Sequence, residues 1–187
     1  MNFDTISKYI ELGFTHVIPL GFDHILFILS LFFLQSNLKA VLWQCSIFTL
    51  AHSLSLGLAS AGFFMPNSQI IEPLIALSIL FTAVENILNP TPNKWRMILI
   101  FMFGMIHGFG FATALSEIGI PKKQFFSSLL SFNIGVEIGQ ITIILIAYFL
   151  ISRPFSEKIW YRSRIVNPIS MIIGCVALYW TIDRIFE

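Results

Sequence analysis

Charged side chains are scarce in this sequence of 187 residues. Asp, Glu, Lys and Arg make up only 11% of it, against about a quarter in soluble globular proteins. Hydrophobic residues reach 56%, and the mean hydropathy is +0.82. Because such a composition cannot cover a globular domain with polar surface, it excludes a soluble enzyme and predicts an integral membrane protein. The net charge of +1 gives no reason to expect nucleic acid as a partner.

Several other signals are missing. The two cysteines, Cys45 and Cys175, lie in apolar runs without CxxC spacing, which indicates small buried side chains and neither a disulfide nor a thiolate site. Residues 1–15 carry Asp4 and Glu11 and lack the pattern of a cleavable signal peptide, so the first span is expected to direct insertion. Because no nucleotide-binding motif is recognised, transport by this chain would be facilitated or coupled to an ion gradient.

Long apolar runs are present instead, and polar turns separate them. A spanning helix needs about 20 apolar residues, so the chain has room for about six spans with short loops and little room for a separate soluble domain. We therefore predict an all-α integral membrane protein in which residues 1–187 form a single polytopic domain, with a short interfacial helix over residues 3–14. The six predicted spans cover residues 16–35, 40–62, 70–89, 97–118, 125–151 and 166–185.

The distribution of basic residues predicts the orientation of these spans. With six spans, one side of the membrane carries Lys39, Lys94, Arg96, Arg153, Lys158, Arg162 and Arg164, and the other carries Lys8, Lys122, Lys123 and Arg184. The cytoplasmic side of a membrane protein carries the excess of Lys and Arg. We therefore expect a multi-pass protein of the cell (inner) membrane with both termini outside.

The stretch from His16 to His24 places two imidazoles and the carboxylate of Asp23 at the mouth of the first predicted span. Ionisable groups at membrane depth are costly, and they usually mark an ion or substrate site. Pro19 and Gly21 support this interpretation, because a helix that starts or breaks there exposes backbone groups that must face protein or water rather than lipid. The alternative is a helix start capped by Asp23, with His24 as an interfacial anchor.

Other predicted spans also carry polar groups at membrane depth. They are His52 in the second span, Glu85 and Asn86 in the third, His107 in the fourth, and Asn133, Glu137 and Gln140 on one face of the fifth. Serine and threonine stripes on the second and third spans are also typical of helix packing, as is the GxxxG pattern of Gly104 and Gly108. The packing and functional interpretations of the fourth span are compatible with each other.

Imidazole together with carboxylate is a ligand mixture that suits nickel, cobalt, zinc, copper and iron, whereas oxygen ligands alone would suit magnesium or calcium. We expect a divalent transition metal ion, bound by His24, Asp23, His52, His107, Glu137 and Glu85, with His16, Asn86, Asn133 and Gln140 in support. The estimated depths descend from His24 to Glu85 like a ladder, which is typical of a transport route. A single closed metal centre, as in a membrane metalloenzyme, is the alternative.

Five short motifs occur in order between residues 16 and 140. They are Gly21-Phe22-Asp23-His24, Ala51-His52-Ser53-Leu54-Ser55-Leu56, Val84-Glu85-Asn86, His107-Gly108-Phe109-Gly110-Phe111-Ala112 and Phe132-Asn133-Ile134-Gly135-Val136-Glu137-Ile138-Gly139-Gln140. Together they resemble the second branch of the HupE/UreJ family of small polytopic membrane proteins. The resemblance implies uptake of nickel, or less often cobalt, for hydrogenase or urease maturation, with the histidine near the first span on the metal path. His16 stands further from Asp23 than in the better-studied members, which usually begin with a cleaved signal peptide.

We therefore expect transition-metal uptake, with nickel as the first metal, through histidine and carboxylate sites inside the membrane and with no catalytic residue. The expected partners are the metal ion and the lipid bilayer, and assembly into a homo-oligomer is compatible with the sequence. A membrane metalloenzyme with a permanently bound metal, or a metal-sensing or assembly subunit, is the alternative. His52 and His107 are expected to face each other, because neither has a charged neighbour within its own helical turn.

Overall fold

The chain folds into helices that pack along one another. A computed structural model describes residues 3–34, 37–89, 95–118 and 124–186, and these residues form no strand. Their helices are α1 (Phe3–Val17), α2 (Phe22–Leu34), α3 (Leu38–Ser60), α4 (Ser68–Leu88), α5 (Arg96–Ile118), α6 (Phe125–Phe155) and α7 (Arg162–Phe186). The predicted all-α class is confirmed. Three basic residues used for the predicted orientation, Lys94, Lys122 and Lys123, lie outside the described residues.

Asparagine side chains begin two of the helices. The side-chain oxygen of Asn37 accepts a hydrogen bond from the backbone N–H of Ala40 at 3.2 Å, and that of Asn67 accepts one from Gln69 at 3.0 Å. Such caps satisfy backbone donors that the first turn of a helix leaves without partners. Beyond the end of α3, Gly62 has a φ of 79°, which glycine adopts at little cost. The turn between α3 and α4 therefore follows from local sequence.

The first predicted span is interrupted rather than continuous. α1 and α2 meet at an angle of 70°, so the predicted span over residues 16–35 is corrected to the end of one helix and the whole of the next. Pro19 lies in the break, and proline has no backbone N–H with which to continue a helix. A Cβ on Gly21 would overlap the carbonyl oxygen of His16, so the chain turns back on itself more tightly than another residue would allow.

A glycine-lined face of α6 holds α1. A Cβ on Gly135 would overlap the carbonyl oxygen of Ile10, and further along both helices Gly139 meets the side chain of Val17. Because the contacts advance in the same direction, α1 runs parallel to α6. The helix predicted over residues 3–14 is therefore present. It packs along α6 inside the bundle, whereas the sequence predicted a helix lying at the membrane interface.

A second glycine-lined face, on α5, holds α3. A Cβ on Gly104 would lie 2.5 Å from the carbonyl oxygen of Phe48, and one on Gly108 would overlap the carbonyl oxygen of His52. Small residues let helix backbones approach closely, which is the common basis of helix association in membranes. The GxxxG packing predicted for α5 is confirmed, and α3 and α5 also run parallel.

The helix α4 packs against α2, α5 and α7. Asn86 on α4 links two of these neighbours, because its Nδ2 donates to the carbonyl oxygen of Ser30 at 2.9 Å and to Oγ of Ser170 at 3.2 Å. The carbonyl oxygen of Asn86 accepts a hydrogen bond from Arg162 at 2.6 Å. In this structure Asn86 therefore links helices, and its support of a metal site stays a prediction.

Among the described residues, four helices are long and apolar enough to cross a membrane, namely α3, α4, α6 and α7, and the bent pair of α1 and α2 would make a fifth. The apolar part of α5, from Arg96 to Ala112, is shorter. Large apolar side chains are exposed around the bundle, as contact with lipid requires, among them Leu50, Ile98, Met102, Phe149 and Ile172. The helices are those of a membrane protein, and the count of six spans stays a prediction.

Candidate metal centre

All four histidines of the chain meet in one cluster, although they come from four helices. His16 lies in the last turn of α1, His24 in the first turn of α2, His52 in α3 and His107 in α5. The ring centre of His24 is 4.6 Å from that of His16, 5.7 Å from that of His52 and 5.1 Å from that of His107. His52 and His107, which we expected to face each other, therefore meet through His24.

The break between α1 and α2 places the first two imidazoles edge to face. Asp23 then fixes His24, because its Oδ1 accepts a hydrogen bond from the backbone N–H of His24 at 2.8 Å and lies 3.0 Å from Nδ1. A carboxylate on Nδ1 orients an imidazole and leaves Nε2 available as a ligand atom. The two interpretations of Asp23, as a helix cap and as part of a functional site, both fit this geometry.

Ser78 on α4 fixes the third imidazole. Its Oγ lies 3.0 Å from Nε2 of His107 and 2.7 Å from the carbonyl oxygen of Ile75. A hydroxyl has one hydrogen to donate, and the carbonyl oxygen can only accept. Ser78 therefore accepts from the Nε2–H of His107, which leaves Nδ1 of His107 unprotonated and free to bind a ligand.

Five buried imidazole nitrogens have no hydrogen-bond partner among the described residues: Nε2 of His16, Nε2 of His24, both nitrogens of His52 and Nδ1 of His107. Buried polar atoms without partners are uncommon, because each costs the desolvation of that atom. Two groups of ligand atoms, each within 4.8 Å of one another, are formed by His16, His24 and His52 and by Asp23, His24 and His107. Each group matches the donor set of a transition metal, and His24 belongs to both.

A cavity of about 380 Å³ leads to the cluster. Its lining extends from Glu72 and Arg184 at the protein surface to the buried imidazoles of His24 and His107. Arg184 donates a hydrogen bond to the carbonyl oxygen of Glu72 at 3.1 Å, which joins the end of α7 to the start of α4. The mouth therefore lies on the side of the carboxyl terminus.

Aromatic side chains close the cluster on the side opposite the mouth. Phe27, Phe48 and Phe103 each lie about one helical turn from a histidine in that direction, and we call them the aromatic layer. The ring of Phe27 is 4.9 Å from that of Phe48 and 6.0 Å from that of Phe103. Phe27 and Phe48 are fully buried, and each contacts the His107 ring, at 5.2 and 5.1 Å.

Glu85, which the sequence predicts as a metal ligand, pairs with a guanidinium in this structure. Its Oε2 lies 2.5 Å from Nη1 of Arg96, and both side chains are buried. Nε of Arg96 also donates to Oε1 of Gln44 at 3.1 Å. Glu85 therefore joins α3, α4 and α5 through this network, and it belongs to neither group of metal-capable atoms.

Glu137 also lies outside both groups. It is half-buried and accepts a hydrogen bond from Oγ of Ser46 at 2.7 Å. On the same helix, Asn133 donates to the carbonyl oxygen of Leu129 at 2.7 Å, and the polar atoms of Gln140 are buried without a partner in the described part of the chain. The structure thus brings His16, Asp23, His24, His52 and His107 together, with the side chain of Asn133 beside His52, and it leaves Glu85, Asn86, Glu137 and Gln140 outside this group.

Sequence reasoning missed several residues of this site. The sequence places Ser78 in a packing stripe and Arg96 in a loop, Glu72 lies in no motif, and Phe111 lies in the fourth motif without an assigned role. The ring of Phe111 lies 3.8 Å from that of His16. One sequence feature could have identified Ser78, namely that it shares a face of α4 with Glu85. A polar face on an apolar helix predicts that its side chains have buried partners.

Comparison with known proteins adds one match. The family model described as HupE / UreJ protein matches residues 1–184, which include the whole histidine cluster. No curated protein and no solved structure matches. The match covers the apolar helices, the broken first span and the five motifs in order, and this membrane protein therefore belongs to the HupE/UreJ family.

Proposed function

We propose that this chain takes up a divalent transition metal ion across the cytoplasmic membrane, and that nickel is its ion. The observation that carries the proposal is the histidine cluster. The imidazoles of His16, His24 and His107 line the end of a cavity, and five imidazole nitrogens of the cluster have no hydrogen-bond partner among the described residues. Family membership supports nickel or cobalt as the cargo. The donor set supports the same choice, because imidazole with carboxylate suits these ions and disfavours magnesium and calcium.

Binding at the cluster would replace the water that a dication loses on entering the protein. Imidazole nitrogens of His24 and His107 with a carboxylate oxygen of Asp23 form one set of ligand atoms. The carboxylate contributes the negative charge that a buried dication needs, and it also orients His24. A bare ion in hydrocarbon would have none of these interactions, so the cluster lowers the barrier to crossing.

Entry would take place from the side of the cavity mouth. The excess of basic residues on the opposite side supports an outside position for the mouth, and therefore uptake rather than export. A permeant ion must also leave again, so no set of ligands can hold it permanently. The sharing of His24 by two groups of ligand atoms supports such a transfer, because one ring can remain bound while its other partners change.

The experiment is uptake of radioactive nickel by cells or proteoliposomes that carry the parent or a variant. We expect His24→Ala to abolish uptake, because His24 belongs to both groups, and His16→Ala to weaken it less, because His16 belongs to one. Ser170→Ala is the matched control, since Ser170 is fully buried but bonds Asn86 instead of the cluster. Uptake by His24→Ala within twofold of the parent, at equal expression, would refute the proposal.

One observation favours a second function. The histidines form a compact cluster, not the ladder of separate depths expected from the sequence, and a compact cluster is also what a membrane metalloenzyme needs. A chelator distinguishes the two. A transporter releases its ion to excess chelator within minutes, whereas a resident metal ion that survives dialysis, without any uptake by the parent protein, would assign the cluster to an enzyme.

A further inference from the structure

A buried ion pair lies beyond the histidine cluster, on the side opposite the cavity mouth. Along one face of α4, Ser78 contacts His107, Thr82 follows four residues later, and Glu85 three residues after that. Glu85 is therefore about 10 Å further along the helix than Ser78, at a rise of about 1.5 Å per residue. Glu72 at the mouth lies in the other direction along the same helix. An ion crossing from the mouth would reach Glu85 after the cluster.

The pair closes this end of the bundle together with the aromatic layer. Glu85, Arg96 and Gln44 are 7%, 2% and 0% exposed, and they come from α4, α5 and α3. Between them and the cluster lie the fully buried rings of Phe27 and Phe48. In the part of the chain that the structure describes, the cavity therefore reaches the histidines from the mouth, and buried side chains fill the space between the histidines and the opposite side.

Stability alone does not account for this ion pair. A buried pair costs the desolvation of two charges, and well-packed apolar residues in its place are often as stable. Nη2 of Arg96 is buried without a hydrogen-bond partner among the described residues, so the guanidinium is not fully compensated. A fixed cation at this position also repels a dication that approaches from the cluster. An ion can pass only if the guanidinium of Arg96 leaves the carboxylate of Glu85.

We propose that Arg96 is a tethered cation that occupies Glu85 and closes the inner end of the route, and that a metal ion leaving the cluster takes its place on Glu85. This inference rests on the proposed function for the identity of the ion. The closure itself concerns only this chain's own residues. Gln44 positions Arg96 through Nε, so it holds the closed arrangement without supplying charge.

Accessibility of an introduced cysteine tests the closure without any metal ion. Thr82→Cys places a thiol one turn from Glu85 towards the cluster, and Thr15→Cys places one on the cavity wall. Both are made in a background where Cys45 and Cys175 are alanine. The rate of reaction with a membrane-impermeant cationic thiol reagent is then measured from each side, in membrane vesicles of both orientations.

We expect Arg96→Gln to raise the labelling rate of Thr82→Cys from the inner side at least tenfold and to leave that of Thr15→Cys within twofold. Gln44→Ala keeps the ion pair but removes the acceptor for Nε of Arg96, so it should raise the labelling rate of Thr82→Cys by a smaller factor. This second variant keeps the inference testable if Arg96→Gln fails to fold. Arg162→Gln is the matched control, because Arg162 bonds the carbonyl oxygen of Asn86 near the same end. In the Arg162→Gln background, the labelling rate of Thr82→Cys should equal that in the parent background.

Two results would overturn the inference. One is labelling of Thr82→Cys that stays within threefold of the parent in both Arg96→Gln and Gln44→Ala. The other is an equal rise at Thr82→Cys and Thr15→Cys from both sides, which would mean that the ion pair only holds the helices together. Neither result depends on nickel, so failure of the closure and failure of metal uptake are separate outcomes.

Discussion

Gly104→Ala should weaken the histidine cluster although residue 104 contacts none of its rings. A Cβ there would lie 2.5 Å from the carbonyl oxygen of Phe48 and 2.9 Å from Cβ of Ala51, whereas ordinary contacts begin at 3.4 Å. The backbones of α3 and α5 would have to separate by about 0.9 Å to restore normal contact. Overpacking of this kind typically costs about 1–3 kcal/mol of folding free energy.

The same separation would disturb metal binding. His52 lies one turn beyond Phe48 on α3, and His107 lies three residues beyond Gly104 on α5, so both imidazoles move with their backbones. Metal–nitrogen bonds of about 2.0–2.1 Å tolerate deviations of roughly 0.2 Å. A displacement of about 0.9 Å exceeds that tolerance several times, so we expect nickel affinity to fall at least tenfold, or about 1.4 kcal/mol.

The assays are calorimetric titration with nickel and thermal unfolding of the purified protein. Gly174→Ala is the matched control, because its Cβ would lie 3.7 Å from the nearest atom, Cβ of Ala83, and alanine favours a helix. That variant should bind as the parent does and unfold at the same temperature or higher. Nickel affinity within threefold of the parent and an unchanged unfolding temperature for Gly104→Ala would refute the argument.

Three further predictions concern side chains around the cluster. Asp23→Asn should lower nickel affinity about 10- to 100-fold, because it removes the charge that orients His24, and titration within threefold of the parent would contradict this. Ser78→Ala leaves Nε2 of His107 without its acceptor, so the free energy of unfolding in detergent should fall by about 1–3 kcal/mol, and an unchanged value would mean that the hydrogen bond contributes nothing. Glu137→Gln should keep nickel affinity, since Glu137 lies outside both ligand groups, whereas a tenfold loss would return it to the metal path.

The sequence predicted the parts of this molecule that depend on local physical rules. Apolar runs predict helices of a membrane protein because a bilayer gives backbone groups no other partner. The break near Pro19 follows from the missing N–H, and the packing role of Gly104 follows from the absence of a side chain. The sequence also predicts that His52 and His107 share one site, since an isolated polar group in hydrocarbon is costly, and both rings lie near that of His24.

The position of one helix beside another was not predictable in this way. Depths estimated along straight spans separated the histidines into a ladder, but α1 and α2 bend by 70° and bring His16 and His24 to the level of His52. Likewise Arg96 had the sequence context of a loop residue next to a span. Only the packing of α3, α4 and α5 shows that its guanidinium is buried on Glu85.

Because the cluster contains every histidine of the chain, it can be observed without background. Protein labelled with nitrogen-15 in histidine alone would give imidazole signals from four rings, and each signal would report the tautomer, protonation or metal ligation of one ring in the cluster. A histidine-modifying reagent would have the same selectivity. A polyhistidine purification tag would remove this advantage and would compete for the ion, so affinity purification through another tag preserves this selective probe of the cluster.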